Sequence, residues 1–438
     1  MAGMVVAVPD QVVLLNIHII CRKIAAALAV TTAAALVVQA QAPAETDALA
    51  RLSARLSSGD ATLAFDAQRG YLPSLLEQLH INVDSQVLVF SKTSFQHALI
   101  NPGNPRAVYF NDAVSIGMVP GGSVYEMMAL EPGRGLAFYS LDTAKTERPV
   151  FQRRGVECLF CHGPGNRGAA AMVVASVIPN PAGVPAYTSA FIDTIDHRTP
   201  FERRWGGWYV TGTHGAMTHM GNAVAPDPER PLDLEQSHSQ NQTSLAGRFD
   251  VSKYLTGTSD IVALMTLEHQ VGATNRLGAL GVQYRAAQRS GTVDLLRDLE
   301  PAVRELVDYM LFVDASPISE PVKGISSFTQ TFAARGPRDA RGRSLREFDL
   351  HTKLFRYPVS YTIYSELFDA LPQPIRDRVY QRMHDVLSGE DASTQYDRLS
   401  ADDRKAGLQI VAATKANVPE YWKSSQEGGA FSPAPSQP

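Results

Sequence analysis

The sequence predicts an α+β protein with a β-rich N-terminal part and a helical C-terminal part, on either side of a loop centred on Cys158-Leu159-Phe160-Cys161-His162. Three observations carry this reading. Short alternating runs of β-branched and aromatic residues crowd between Gln86 and Tyr139, separated by turn clusters such as Asn101-Pro102-Gly103-Asn104-Pro105 and Pro120-Gly121-Gly122. From Ser259 onward the apolar residues recur at helical intervals instead. The composition, 45% hydrophobic and 19% charged, suits a packed globular chain rather than a disordered one. With 438 residues, the chain has room for about two or three ordinary domains. Its 40 basic and 44 acidic residues leave a net charge of −4, which gives no footprint for nucleic acid or an anionic membrane surface.

Residues 1–40 read as a signal peptide. Arg22 and Lys23 precede an apolar run from Ile24 to Val38, and Val38-Gln39-Ala40 has the small-x-small pattern of a cleavage site. A second apolar run, Val12 to Ile20, precedes the charges, which points to a start placed too far upstream. Membrane association is expected only if this leader stays uncleaved. Residues 41–150 form the β-rich N-terminal region. Glu45 to Gly59 and Tyr71 to His80 are read as two short helices before an antiparallel sheet of four or five strands. Those strands are Gln86–Phe90, Ala107–Phe110, Val114–Met118, Ser123–Met127 and Leu136–Tyr139.

Residues 151–257 form the region of the Cys158–His162 motif. Beyond the motif come an apolar run (Met172 to Ile178), a turn-rich link (Pro179 to Pro185) and an aromatic, cationic stretch from Arg203 to Val210. Ala225 to Gln242 has no periodicity and reads as a long loop. Residues 258–425 form the helical region. Thr258 or Ser259 is expected to cap a helix carrying Ile261, Leu264 and Met265 on one face. Thr292–Val313, Tyr361–Leu371, Pro374–Leu387 and Ser400–Asn417 complete it, and residues 426–438 are expected to be a disordered tail.

The Cys158–His162 motif reads C-x-x-C-H, the attachment signal of a c-type haem. Two thiols at this spacing each form a thioether to one vinyl group of a porphyrin, and the adjacent imidazole serves as an axial iron ligand. A structural zinc site wants four ligands, usually with a second cysteine pair. The chain has three cysteines, and the third, Cys21, lies in the leader. A thioredoxin-like C-x-x-C does not need the following histidine. On these residues, and on Gly163-Pro164 after them, the stretch resembles the c-type cytochromes. The resemblance implies one covalent haem c held by Cys158, Cys161 and His162. A single motif argues against dihaem peroxidases, which need a second attachment site. Export fits too, because haem c is attached outside the bacterial cytoplasm, so a periplasmic location is expected.

The sixth iron ligand decides the chemistry. Thr213 to Asn222 packs His214, Met217, His219 and Met220 together, some fifty to sixty positions beyond His162. Within it His219 ranks first as the second metal ligand, followed by Met220 and His214. His269, on the expected helix face with Ile261 and Met265, is the other candidate. Arg203, Arg204, Trp205, Trp208 and Tyr209 suit haem propionates, or else a core aromatic cluster. Electron transfer with an unidentified redox partner protein is the expected function. The alternative is a haem redox enzyme, activating peroxide or oxygen at an open distal side.

Overall fold

Between Val87 and Arg154 the alternating runs form strands that pair with their sequence neighbours, because short turns make antiparallel pairing local. The computed structural model describes residues 47–163, 169–186 and 193–424. The expected leader, Pro164 of the expected haem loop and the expected disordered tail lie outside these residues. The strands are β1 (Val87–Val89), β2 (Arg106–Phe110), β3 (Val114–Met118), β4 (Val124–Glu131), β5 (Gly135–Asp142) and β6 (Gln152–Arg154). They run as a meander, and a late strand pairs with the free edge of β1 through Leu88↔Tyr209. Two short strands, β7 (Ala175–Ser176) and β8 (Asp193–Thr194), pair separately, and the late strand is β9 (Trp208–Tyr209). The main sheet therefore has seven strands, in the order β6-β5-β4-β3-β2-β1-β9. It exceeds the expected four or five strands because β6 and β9 are too short to show an alternating period.

Each sheet face buries a different layer. Tyr109, Ile116, Met127 and Tyr139 face α1 (Ala48–Ser58) and α2 (Leu72–Gln78), packing with Leu49, Leu52, Leu72 and Leu75. Helix α1 starts at buried Asp47, whose Oδ1 accepts from the backbone N–H of Leu49 at 2.9 Å and of Ala50 at 3.0 Å. Its Oδ2 accepts from the Tyr139 hydroxyl at 2.8 Å, so one carboxylate both caps the helix and docks it on the sheet. The helix ends at Gly59, whose φ of 85° suits glycine. On the opposite face Val108, Phe110, Met128, Leu130 and Leu136 pack against the helical half.

That half is built on α4 (Ile261–Arg289), a helix of 29 residues. It is buried around most of its circumference from Ile261 to Gly281, so it has no polar stripe and its length is hidden from periodicity. Its cap is Asp260, not the expected Thr258 or Ser259. Asp260 Oδ1 accepts from Val262 N–H at 2.8 Å, and Oδ2 accepts from the N–H groups of Ile325 and Ser326. Ser259 is otherwise engaged: its hydroxyl donates to the Tyr209 carbonyl at 2.6 Å and accepts from Leu88 N–H at 2.9 Å, stitching β9 to β1.

The single helix expected over Thr292–Val313 is instead α5 (Leu295–Asp298) and α6 (Glu300–Met310). Pro301 lacks the N–H that a helix interior needs, so it fits only in a first turn. Helix α7 (Phe328–Ala334) follows, unanticipated. Tyr361–Leu371 becomes a 3₁₀ turn at Tyr361–Tyr364 and the one-turn α8 (Glu366–Asp369). Helices α9 (Gln373–Ser388), α10 (Ala401–Thr414) and α11 (Glu420–Ser424) complete the described residues, with Ser400 capping α10. The stretch from Ala225 to Gln242 holds no helix or strand. From Asp47 onward the chain forms one compact unit. No helix among the described residues is long and apolar enough to cross a membrane.

Candidate functional site

The C-x-x-C-H motif is helical. It forms α3 (Val156–His162), which starts directly after β6, and none of its residues is fully buried. Helical spacing puts Cys158 and Cys161 on one side, since residues three apart are neighbours on a helix surface. Cys158 is half-buried, Cys161 is exposed, and both are free thiols. The apolar residues around them face outward: Phe160 is 92% exposed, Val156 84% and Leu159 41%. A single exposed apolar residue is ordinary; three on one short helix mark a surface that suits an apolar companion.

His162 is held from two directions. Its Nδ1 lies 2.9 Å from the Ala171 carbonyl oxygen, and Ala171 N–H donates back to the His162 carbonyl at 3.0 Å. A carbonyl only accepts, so Nδ1 carries the proton and Nε2 keeps its lone pair. The ring also packs on Phe138 of β5, with centroids 5.2 Å apart. Burial pushes the His162 imidazole below its usual range, and the Arg106 charge adds to this. The Ala171 hydrogen bond and the Glu126 charge pull the other way. Burial likewise pushes the Cys158 thiol up, with Glu157 and Glu126 reinforcing it.

Arg106 and Glu126 belong to the site by sheet register. Val108, Gly117, Glu126 and Ser140 lie opposite one another across β2 to β5, so Arg106, Glu126 and Phe138 share the face on which His162 packs. Arg106 pairs with Glu126 at 3.0 Å, and Ser94 and Gln96 also donate to that carboxylate, each at 3.1 Å. The guanidinium lies over Gly117, in the space that a Cβ would need. Arg106 Nε is buried with no hydrogen-bond partner among the described residues. Sequence reasoning missed Arg106, Glu126 and Phe138. Strand alternation sets them on the face opposite Tyr125, Met127 and Tyr139, but only the path of the chain after β6 reveals that α3 covers that face.

No family model, no curated protein and no solved structure matches the chain.

The loop from His214 to Met220 is brought together, but around its own core. His219 is 1% exposed and its ring meets those of Trp205, Phe201 and His214 at 5.4, 6.3 and 4.8 Å. Its Nδ1 accepts from Gly221 N–H at 3.0 Å, so the neutral ring carries its proton on Nε2. Burial lowers the His219 pKa to about 3. His214 Nε2 accepts from Asn241 N–H at 3.1 Å, and the Met220 sulfur accepts from the Ser176 hydroxyl at 3.7 Å. No hydrogen bond or ring contact joins His219 to α3 among the described residues. His269 has both nitrogens engaged, Nδ1 with His197 and Nε2 with Ser360, each at 2.7 Å.

The residues read as propionate partners are turned inward. Arg204 forms a buried ion pair with Glu268, and Trp205 Nε1 donates to the same carboxylate at 3.2 Å. Trp208 Nε1 donates to the Ala175 carbonyl and the Tyr209 hydroxyl to the Pro102 carbonyl, both at 2.7 Å. Arg203 is exposed. Trp205, Trp208 and Tyr209 thus make the core aromatic cluster that was the other reading of this stretch, but Arg204 is buried with them instead of flanking the cluster at the surface. Burial pushes the Glu268 carboxyl up, while the Arg204 charge and the Trp205 N–H pull it back down.

The α3 residues and their sheet neighbours fit a covalently held haem. They offer two thiols on one helix side, an imidazole whose tautomer leaves Nε2 bare, and an arginine with an unsatisfied donor. Metal-ligating histidines commonly donate their other N–H to a carbonyl in this way.

Proposed function

We propose that the chain is a monohaem c-type cytochrome that transfers electrons to or from a protein partner. Cys158 and Cys161 would hold the haem through thioethers, His162 Nε2 would ligate its iron, and Arg106 would be the arginine for a propionate. When bound, the haem supplies a one-electron ferric/ferrous couple. The observation that carries the reading is the bond between His162 Nδ1 and the Ala171 carbonyl, which fixes the tautomer a ligand needs. Electron transfer is favoured over a buried reaction site by the exposure of Val156, Leu159 and Phe160, which puts the attachment helix where a partner can dock. The reading includes export to the periplasm, supported by the leader pattern and by the confinement of the remaining cysteines to the motif.

His219 stays the proposed sixth ligand from the sequence, and in the arrangement described it would have to give up its bond to Gly221. The test is the spectrum of the ferric protein. A low-spin wild type that turns high-spin in His162→Ala supports the assignment. A low-spin spectrum that also survives His219→Ala moves the sixth ligand elsewhere. A high-spin wild type that binds carbon monoxide when reduced overturns electron carriage in favour of a haem enzyme.

A further inference from the structure

A cavity of ≈ 160 Å³ opens beside His197, built by the stretch before β9, helix α4 and the loops after α6 and around Phe355. Its walls are mostly apolar, among them Phe201, Met265, Leu311, Ile318 and Phe355, with Arg204 and Asp403 also lining it. One wall carries a polar group in an unusual state. His197 is 4% exposed, its Nδ1 lies 2.7 Å from His269 Nδ1, and its Nε2 is buried with no partner among the described residues. The ring cannot swing to find one. It packs against Tyr309 at 4.1 Å and Phe312 at 5.0 Å, and Phe312 holds a φ of 56° that a bulky residue seldom adopts. At the exposed rim stands Arg398, which makes no ion pair or hydrogen bond with any described residue. Lys353 beside it pairs with Asp403 at 3.1 Å.

We propose that this cavity binds a monocyclic aromatic acid, with a ring hydroxyl on His197 Nε2 and its carboxylate at Arg398. The inference stands apart from the haem reading. The volume decides the ring: an apolar cavity of about 150 Å³ takes up benzene. The floor decides the hydroxyl. His197 and His269 share one proton between their Nδ1 atoms, so Nε2 is an acceptor in one tautomer pair and a donor in the other. A hydroxyl serves either state, since it both donates and accepts. The rim decides the acid, because a guanidinium without a partner matches a carboxylate.

The test is calorimetric titration of the full chain with para-hydroxybenzoate, benzoate and phenol. The wild type should bind para-hydroxybenzoate about tenfold more tightly than benzoate, the worth of one hydrogen bond to an otherwise unpaired buried group. Arg398→Gln should weaken para-hydroxybenzoate roughly fivefold and leave phenol unchanged, as expected for an exposed charge pair. His197→Phe should bind benzoate and para-hydroxybenzoate alike. Equal affinities for those two in the wild type, or no binding of either at millimolar concentration, overturns the proposal. That comparison needs no variant to fold.

Discussion

Helix α3 carries two thiols and His162 on a short helix with no fully buried side chain, whereas α4 carries Glu268 and His269 at 0% exposure and Arg276 at 7%. The two helices treat polar groups in opposite ways. On α4 the buried polar groups are answered from other parts of the chain. Glu268 meets Arg204 and Trp205, His269 meets His197 and Ser360, and Gln270 bridges the Asn111 carbonyl and the Tyr361 hydroxyl. On α3 the partners are local: Glu157 pairs with Arg154 just before the helix, and Nδ1 of His162 meets the Ala171 carbonyl nine positions on. Histidines are therefore found in both settings, and burial alone does not mark the reactive one. What separates them is whether a ring nitrogen with a lone pair is left over beside groups that could anchor a cofactor.

The largest expected effect comes from removing the thiols. Cys158→Ala combined with Cys161→Ala should leave no haem on the protein after acid–acetone extraction. The melting temperature of the apoprotein should move by only about 2 °C, because surface changes cost little. A collapse of the fold would mean that α3 holds the structure together after all.

Next is α4. Arg204→Met leaves the Glu268 carboxylate buried without its cation, which should cost about 3–5 kcal/mol in urea unfolding. A loss below about 1 kcal/mol would show that the carboxylate does not depend on this partner.

The pH response should be smaller and directional. Burial lowers the His269 pKa to about 3 and holds His197 well below its usual range, so both are neutral in the folded protein. Unfolded imidazoles titrate near ~6.5. Both folded values are depressed, so the unfolded chain binds more protons below that pH, and stability is lost as pH falls. Each imidazole contributes up to about 1.4 kcal/mol per pH unit. Urea midpoints should therefore drop between pH 7 and pH 5, and the slope should shrink when both histidines are changed to Phe. A flat wild-type profile would contradict the neutral pair.

Smallest in stability is Phe160→Ser. It should alter unfolding by no more than about 0.5 kcal/mol, yet slow electron exchange with a partner in stopped-flow mixing. An unchanged rate would place the docking surface away from α3.

The sheet and α1 were legible because their signals are local. Alternation set β3 to the residue, and the helix expected over Glu45 to Gly59 forms over Ala48–Ser58. The failures share a physical cause, which is that the deciding contact lies far along the chain. Ser259 resembles a cap until Leu88 and Tyr209 claim its hydroxyl. Helix α4 loses its period because other elements surround it. Of the candidate site, Cys158, Cys161 and His162 could be named from spacing alone. Arg106, Glu126 and Phe138 could not, since their shared face emerges only from pairing across β2 to β5.

The late arrival of β9 has a consequence for the order of events in the living chain. Strands β1 to β6 are contiguous and can zip together by neighbour pairing, but the outer edge of β1 waits for Trp208 and Tyr209, roughly 120 residues later. At the ~5–20 residues per second of synthesis, that wait lasts on the order of ten seconds. Cys158 to His162 emerge within it, on a helix that follows directly from a strand of the finished meander. An open strand edge is a ready template for pairing with a neighbouring chain, so the same interval is when this protein is most exposed to aggregation.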